Sequence, residues 1–414
     1  MVKQNSNNTN SKTAAQKRKI TNLKLNSLLE ITKAIKSNSS IADLYRIYEN
    51  VLITDLRIGK LALFINDEGW RCVLKHGIKS EYEQIKVETD LLNYKEITET
   101  NVISSSNIGA FDVVIPVYHK SHPLAYLLIG DLDENKLEIS ATIKHLPFIQ
   151  TLTNIIVVAI ENKKLAKEYL RQEGVKKELE LASEMQSMLF PSKLPNDEKM
   201  DVDALYQPHH QVGGDYYDFI RLNENEVAFC IADVSGKGVS AALLMANFQA
   251  NLRALFKTTS SLNEIVTDLN RLVNENAKGE KFITLFIAKY NYVTRVLTYI
   301  NAGHNPPVLV YKNTSLFLTT GCIGLGMLDD IPKMREGIIT VNPSTVLVCY
   351  TDGLTEQDND ANEEFGMESL KNIVLKKSLG GMNELNNHTI FVLNKFKQGK
   401  NYIDDIALLS CKFL

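Results

Sequence analysis

The sequence predicts an α+β chain in which a small mixed domain, one long helix and a two-sheet domain follow one another. Three observations lead there. An amphipathic helix and four apolar strand-like runs occupy the first third of the chain. A proline-free stretch from about Ser140 to Leu189 then repeats apolar residues at 3,4 spacing. Beyond Pro191, eight short strand-like runs alternate with helical stretches, the pattern of stacked antiparallel sheets flanked by helices. A length of 414 residues accommodates two or three domains, and 44% hydrophobic with 23% charged residues is ordinary globular composition.

Residues 1–21 read as a disordered basic tail rich in Asn, Ser, Thr and Lys. Leu23, Leu25, Leu28, Leu29, Ile31 and Ile35 then supply a helical apolar stripe. KLALFI runs into the turn Asn66-Asp67-Glu68-Gly69 and restarts as WRCVLKHG; FDVVIPVY and PLAYLLIGDL follow as two further strands around the His119–His122 loop. These elements delimit a first domain at 22–165.

The net charge of −3 hides an asymmetry: residues 1–36 hold eight Lys/Arg against Glu30 alone, leaving 38 basic against 48 acidic side chains in the rest. An acidic body suits cations or basic partners better than nucleic acid, and no nucleic-acid role is expected. Five cysteines (Cys72, Cys230, Cys322, Cys349, Cys411) form no CxxC pair, which points to a reducing, cytoplasmic setting without disulfides. The longest apolar run near a helix, Ile155–Ile160, is far too short for a membrane span, and the N-terminus lacks the apolar stretch of a signal peptide.

The linker helix, 150–190, places Ile155, Val158, Asn162, Leu165, Tyr169, Gln172, Lys176 and Leu179 on one seam, then shifts it to Ala182, Met185 and Leu189. Asn162, Gln172 and Lys176 are polar breaks in a coiled-coil pattern. The seam reads either as a rigid spacer or as a dimer contact poised between registers. In the last domain, 191–414, strands are expected at Val202–Tyr206, Tyr216–Arg221, Val227–Asp233, Ile283–Tyr290, Val296–Asn301, Pro307–Tyr311, Val346–Tyr350 and Ile406–Leu409. Helices fit Val239–Phe256, Leu262–Asn276, Glu368–Lys376 and Met382–Phe396.

Four acids stand at strand ends beside turn signals: Asp215 in VGGDYYDF, Asp233 in IADVSGKG, Asp352 in YTDGLTE and Asp404 ahead of Asp405 and IALL. One strand-end Asp is usually a turn former. Four in one domain repel one another if gathered, so they need cations, and an all-oxygen set favours Mg²⁺ or Mn²⁺ over zinc. Asp358-Asn359-Asp360-Ala361-Asn362 begins like a calcium loop, but Glu363 replaces the turn glycine and Ser369 the twelfth-position Glu, so it reads as a solvated loop.

The motifs VGGDYYD, IADVSGKGVSAALLMA, FITLFIAKY, NAGHNPP, YTDGLTEQ, EEFGMESL and DDIALL, preceded by ELELASEMQSMLFP, closely resemble the SpoIIE/RsbU-type serine/threonine phosphatases of the metal-dependent PPM family. The resemblance implies an αββα sandwich holding two Mn²⁺ or Mg²⁺ ions. It implies that Asp233 bridges both, that Asp352 and Asp404 hold one, and that Asp215 and the Val234 carbonyl hold the other. Metal-activated water would attack phosphate directly, since no cysteine or histidine nucleophile is indicated. The wider family places a histidine after the bridging aspartate; here Val234-Ser235 stand there, which leaves the leaving-group proton donor unassigned. His304 in NAGHNPP is a candidate for that role or for fixing its turn. Gly236, Lys237 and Gly238, ahead of a helix, are candidates to meet phosphate. Asp218 and Asp405 are candidates to support the ligands.

The first domain resembles a GAF sensory domain, with Trp70, His76 and Tyr82 as candidate pocket residues and an unidentified small-molecule or protein signal. The resemblance further implies a phosphorylated protein substrate of the STAS type, an anti-sigma-factor antagonist in a partner-switching pathway. A homodimer through the linker helix is expected. Two other readings stay open: a non-catalytic phosphoprotein-binding scaffold, and a hydrolase of small phosphoesters.

Overall fold

The computed structural model describes residues 5–100, 108–130 and 146–414, and the chain separates into two compact units, Met1–Glu173 and Gly174–Leu414. In the first unit, helices α1 (Asn5–Lys36) and α2 (Ile41–Asn50) precede strands β1 (Lys60–Asn66) and β2 (Trp70–His76). A single turn, α3 (Val87–Asp90), leads to β3 (Thr98–Glu99), β4 (Val113–His119) and β5 (His122–Gly130). The sheet order is β2-β1-β5-β4-β3. The two expected hairpins form, β1 against β2 and β4 against β5. The helix beginning at Asn5 corrects the reading of 1–21 as disordered. No glycine or proline interrupts that run, and Ala14, Ala15, Gln16 and the lysines are good helix formers. Residues 1–4, the end of the run PLAYLLIGDL and the expected helix start at 140–145 lie outside the described residues.

Strand alternation gives this sheet two apolar faces. Leu61, Leu63, Ile115 and Leu127 pack with Ile31, Leu44 and Tyr48, and with Leu152, Ile156 and Ile160 of helix α4 (Leu146–Ser187). Ala62, Phe64, Val114, Tyr126 and Leu128 pack on the other side with Phe111 and Leu91. Trp70 lies against Tyr126, with ring centroids 5.4 Å apart, whereas His76 is exposed at the end of β2. Trp70 and His76 therefore do not line one cavity, and the side chain of Tyr82 lies outside the described residues.

The second unit contains all eight expected strands: β6 (Met200–Gln207), β7 (Tyr216–Arg221), β8 (Glu226–Val234), β9 (Ile283–Asn291), β10 (Val296–Ala302), β11 (Val308–Tyr311), β15 (Thr345–Tyr350) and β16 (Ile406–Phe413). Three short ones were not expected: β12 (Thr314–Phe317), β13 (Gly321–Cys322) and β14 (Gly337–Thr340). They have too little buried apolar content to show a strand pattern. One sheet runs β13-β10-β9-β8-β7 with β14 also on β10; the other runs β12-β11-β15-β16-β6. Phe229, Ile231, Phe286 and Ala288 of the first sheet meet Leu347, Cys349, Ala407 and Leu409 of the second. Helices α5 (Val239–Thr258) and α6 (Leu262–Ala277) cover the outer face of the first sheet. A helical turn α7 (Asp352–Thr355), then α8 (Gly366–Lys377) and α9 (Met382–Phe396), cover the second. The layering is helix, sheet, sheet, helix. Among the described residues no helix is long and apolar enough to cross a membrane.

The division between the units falls inside α4, at Gly174. A Cβ added there would meet nothing within 4 Å, so packing does not require glycine. Mid-helix glycine costs about 1 kcal/mol relative to alanine. Gly174→Ala should therefore stabilise α4 by up to about 1 kcal/mol, read as a higher midpoint in thermal unfolding followed by helical circular dichroism. A lower midpoint would show that this bare position serves some packing need.

Candidate metal centre

Side-chain parity decides which acids meet. Tyr216 of β7 pairs with Ala232 of β8, so the same register carried one residue further sets Asp215 opposite Asp233. Asp233 shares the parity of Phe229 and Ile231, which face the second sheet, and Asp215 that of Tyr217, which does the same. From the second sheet, Thr351 continues the parity of Leu347 and Cys349, and Asp405 precedes Ala407 and Leu409 on the same face. Both sheets thus deliver polar side chains to one end of the cleft between them, where their apolar filling stops.

The hydrogen bonds agree. Asp215, 2% exposed, accepts from the Thr351 hydroxyl through Oδ2 at 2.7 Å, and that same hydroxyl oxygen accepts from the Ala407 N–H at 2.8 Å. Asp405 accepts from the His209 N–H at 2.7 Å and the Gly214 N–H at 2.8 Å. Asp404 accepts from the Asp405 N–H at 2.9 Å, and its other oxygen lies 2.8 Å from Lys237 Nζ. Gly214 stands against the Val234 carbonyl; a Cβ there would lie 2.9 Å from that oxygen. Gly353, next to Asp352, likewise leaves no room for a side chain beside the Asp405 backbone.

Burial first, and neighbouring carboxylates after it, raise the proton affinity of Asp215, Asp233, Asp352 and Asp405. Asp233 is pushed up to about 7 by burial, then by Asp352, with Asp404 and Asp405 adding to it while contact with Asp215 opposes. Asp215 is raised by burial and then by Asp233, the Thr351 hydrogen bond opposing. Asp352 is raised by burial and then by Asp404. Asp405 is raised by burial, against the two N–H groups that stabilise its charge. Five acids therefore feel one another at one place.

Among the described residues, no three Asp, Glu, His or Cys side chains converge tightly enough as they stand to enclose an ion. The donor chemistry fits hard divalent cations all the same, because the set is carboxylate and carbonyl oxygen without imidazole or thiolate. Tyr206 adds a second sign of fit. Its hydroxyl is shut off from solvent, has no hydrogen-bond partner among the described residues, and stands where Asp405, Asp215 and Asp233 all raise its proton affinity after burial itself. A buried hydroxyl facing carboxylates without a partner suits a hydrated ion.

The remaining candidates divide. Lys237 Nζ donates to the Ile403 carbonyl at 2.6 Å as well as meeting Asp404, so it is brought to the acids. Gly236 and Gly238 have φ of 84° and 74°, which glycine adopts without strain, and Gly238 caps α5. His304 is buried; Nδ1 lies 2.8 Å from the Thr284 hydroxyl, and burial pushes its pKa down to about 3. Its N–H donates to the Asn301 side chain at 2.8 Å, which fixes the turn. An imidazole held neutral in this way is a poor proton donor near pH 7. In the calcium-like loop, Lys400 Nζ lies 2.8 Å from Asp358 Oδ2, so a protein cation already serves that acid. Sequence reasoning missed Thr351, Tyr206 and Gln186. Thr351 sits inside YTDG and Gln186 inside ELELASEMQSMLFP, both already singled out as motifs.

The SpoIIE family model, "Stage II sporulation protein E", matches residues 223–414. "Phosphoserine phosphatase RsbU" of Bacillus subtilis is 33% identical over 187 residues, covering 45% of this chain and 55% of that protein. "Protein IcfG" of Synechocystis is 25% identical over 329 residues, 71% of this chain and 52% of that protein. "Phosphoserine phosphatase RsbP" of Bacillus subtilis is 25% identical over 189 residues, 44% of this chain and 46% of that protein. The chain therefore spans about half the length of the curated relatives it matches. Among solved structures, the SiaA-PP2C domain of Pseudomonas aeruginosa superposes with a TM-score of 0.54 at 18% identity, over 59% of this chain and 99% of that one. That likeness identifies the fold of the second unit as PP2C.

Asp218 lies elsewhere than expected. Three residues beyond Asp215, it has the opposite parity and points to the helix side of the sheet. There it is fully buried and accepts from Arg253 Nε at 2.8 Å and Nη2 at 2.9 Å, from the Tyr216 hydroxyl at 2.6 Å, and from the Phe219 N–H at 2.8 Å. It ties α5 to β7 and does not support the other acids. Arg253 is 42% exposed but Asp218 is fully buried, so removing the guanidinium strands a buried carboxylate, and Arg253→Ala should destabilise the second unit by about 2 kcal/mol. The measurement is the midpoint shift in urea unfolding, and a negligible shift would show that solvent reaches Asp218.

Proposed function

We propose that this chain, whose residues 223–414 match the SpoIIE family model, is a metal-dependent serine/threonine protein phosphatase controlled by its N-terminal unit. The observation that carries the reading is the gathering of Asp215, Asp233, Asp352 and Asp404, the acids of the family motifs, at one end of the sheet sandwich. Two relatives named phosphoserine phosphatase support the substrate class. Within it, a phosphorylated STAS-type protein of a partner-switching pathway in the cytoplasm is the substrate proposed.

In this reading Asp215, Asp233, Asp352, Asp404 and the Val234 carbonyl would hold the ions, Asp233 being shared between them. Mn²⁺ or Mg²⁺ bound there would supply Lewis acidity and a nucleophilic water. The protein's own contribution is orientation. Thr351 fixes the rotamer of Asp215; the N–H groups of His209 and Gly214 fix Asp405; Asp405 in turn shapes the loop carrying Asp215. Lys237 meets Asp404 from the loop ahead of α5 and stands where a phosphoryl oxygen would also attract it.

The N-terminal unit is proposed as a GAF-like sensor and α4 as the element that joins two copies of the chain. Leu165 and Tyr169 on the α4 seam are 61% and 63% exposed, a face that a partner helix would cover. Asn162, Gln172 and Lys176 weaken the seam enough for two packings to lie within a few kcal/mol of one another, so a signal can select between them.

The first test is phosphate release from a phosphoserine protein and from a small aryl phosphate, with Mn²⁺ and after exhaustive chelation. Release from the protein should require the metal, and Asp233→Asn and Asp352→Asn should abolish it while the fold persists. Turnover that survives chelation, or either variant working at near-normal rates, would refute the ligand assignment. A second measurement concerns α4. Sedimentation should show a dimer, and replacing both Gln172 and Lys176 with leucine should lock one register and make turnover indifferent to the N-terminal unit. A monomeric wild-type chain would end that part of the proposal.

A further inference from the structure

Gln186 is the penultimate residue of α4 and is buried, 7% exposed, within the second unit. Its side-chain amide makes two hydrogen bonds to one residue. Nε2 donates to the Gly213 carbonyl at 2.7 Å, and the Gly213 N–H donates to Oε1 at 3.1 Å. A primary amide is the side chain that can donate and accept in this way, so it copies the pairing of a neighbouring strand over one residue. Gly213 is held on its other side too. A Cβ there would run into Asp405 Oδ2 and the Tyr206 hydroxyl, and the next N–H, of Gly214, donates to Asp405 at 2.8 Å. Asp215 follows immediately.

The helix end is itself anchored. Phe190 packs its ring against Tyr206, Tyr216 and Tyr217 at centroid separations of 4.8, 5.7 and 4.9 Å. Gln249 of α5 donates to the Leu189 carbonyl at 3.4 Å. The amide of Gln186 is therefore presented from a fixed support, which is what a group that orients another needs.

We infer that Gln186 is a positioning residue for the metal site: its paired hydrogen bonds to Gly213 set the loop that aims Asp215. The inference rests on the metal-site reading above and adds to it a residue outside the acids. It also gives the segment ELELASEMQSMLFP a task, because the last turn of α4 becomes part of the support for a ligand. If this turn rotates or withdraws, Gly213 loses both partners at once and Asp215 loses its aim.

The experiment measures Mn²⁺ affinity by titration calorimetry on the full chain as wild type, Gln186→Met and Asp233→Asn, beside phosphate release against Mn²⁺ concentration. Gln186→Met keeps length and helix propensity and removes both hydrogen bonds. Its affinity should fall about 10- to 100-fold, the range for partners that orient a ligand without touching the ion. Turnover should return toward the wild-type rate at saturating Mn²⁺, whereas Asp233→Asn should not recover. A latch that only stabilises the fold would lower the unfolding midpoint and leave Mn²⁺ affinity alone, and that result would overturn the inference. If Gln186→Met does not fold, Gln186→Asn, one methylene too short to reach, decides in the same assay: wild-type affinity overturns the inference. Wild-type Mn²⁺ binding by Asp233→Asn would instead overturn the metal-site reading and the inference with it.

Discussion

Carboxylates confined together, Asp215 and Asp405 out of water and the others partly so, are the constraint around which the end of the second unit is organised. Each one would be better solvated apart, and burying a charge without compensation costs far more than any single hydrogen bond returns. The chain meets this with neutral donors placed one by one: the Thr351 hydroxyl on Asp215, and the backbone N–H groups of His209 and Gly214 on Asp405. Lys237 brings positive charge to Asp404 at the rim and, more weakly, to Asp352. Such an arrangement stabilises negative charge incompletely, as the upward shifts of Asp215, Asp233, Asp352 and Asp405 show. A site in that condition gains more from a divalent cation than a well-paired one would, because the ion relieves repulsion the fold leaves in place.

The same crowding explains local sequence that propensity does not. Two glycines in VGGD are costly in conformational entropy, yet neither position tolerates a side chain: Asp405 and Tyr206 fill the space at Gly213, and the Val234 carbonyl and Ala241 fill it at Gly214. The facing sides of the sheets behind them are mainly apolar, with Phe229, Phe286, Leu347 and Leu409 fully or almost fully buried. Burial of that kind contributes about 1.5–3 kcal/mol for each such side chain. It gives the sandwich the rigidity needed to hold like charges at its end.

How much of this could be read beforehand follows from the range of the interactions. Period-two runs exposed the eight main strands, and strand-end acids beside glycine exposed Asp215, Asp233, Asp352 and Asp404, because both signals are local. Gln186 and Gly213 are 27 residues apart, and Thr351 and Asp215 are 136 apart, so nothing near either residue announces its partner. Asp218 misled for the opposite reason. It stands close to Asp215 in sequence, but one strand step reverses the face, and only the register with β8 reveals that it meets Arg253. The short strands β12, β13 and β14 carry no apolar alternation, and helix α1 forms from a polar stretch whose composition suggested disorder.

Helix α4 combines two kinds of sequence that serve different ends. Leu152, Ile156 and Ile160 near its start are buried in the core of the first unit, and Gln186 near its finish is buried in the second. Between them, Leu165, Tyr169, Leu170 and Val175 are exposed, and Gly174 interrupts a segment dense in charged residues. The ends of the helix are thus fixed by packing and by hydrogen bonds, while its middle depends on propensity and on whatever covers its exposed face. A helix built this way deforms first where it is least supported, since bare helix contributes only tenths of a kcal/mol per residue whereas buried contacts contribute several times that. Under the proposed control by the N-terminal unit, stiffness in the middle of α4 is the quantity that would decide whether a change at its start reaches Gly213.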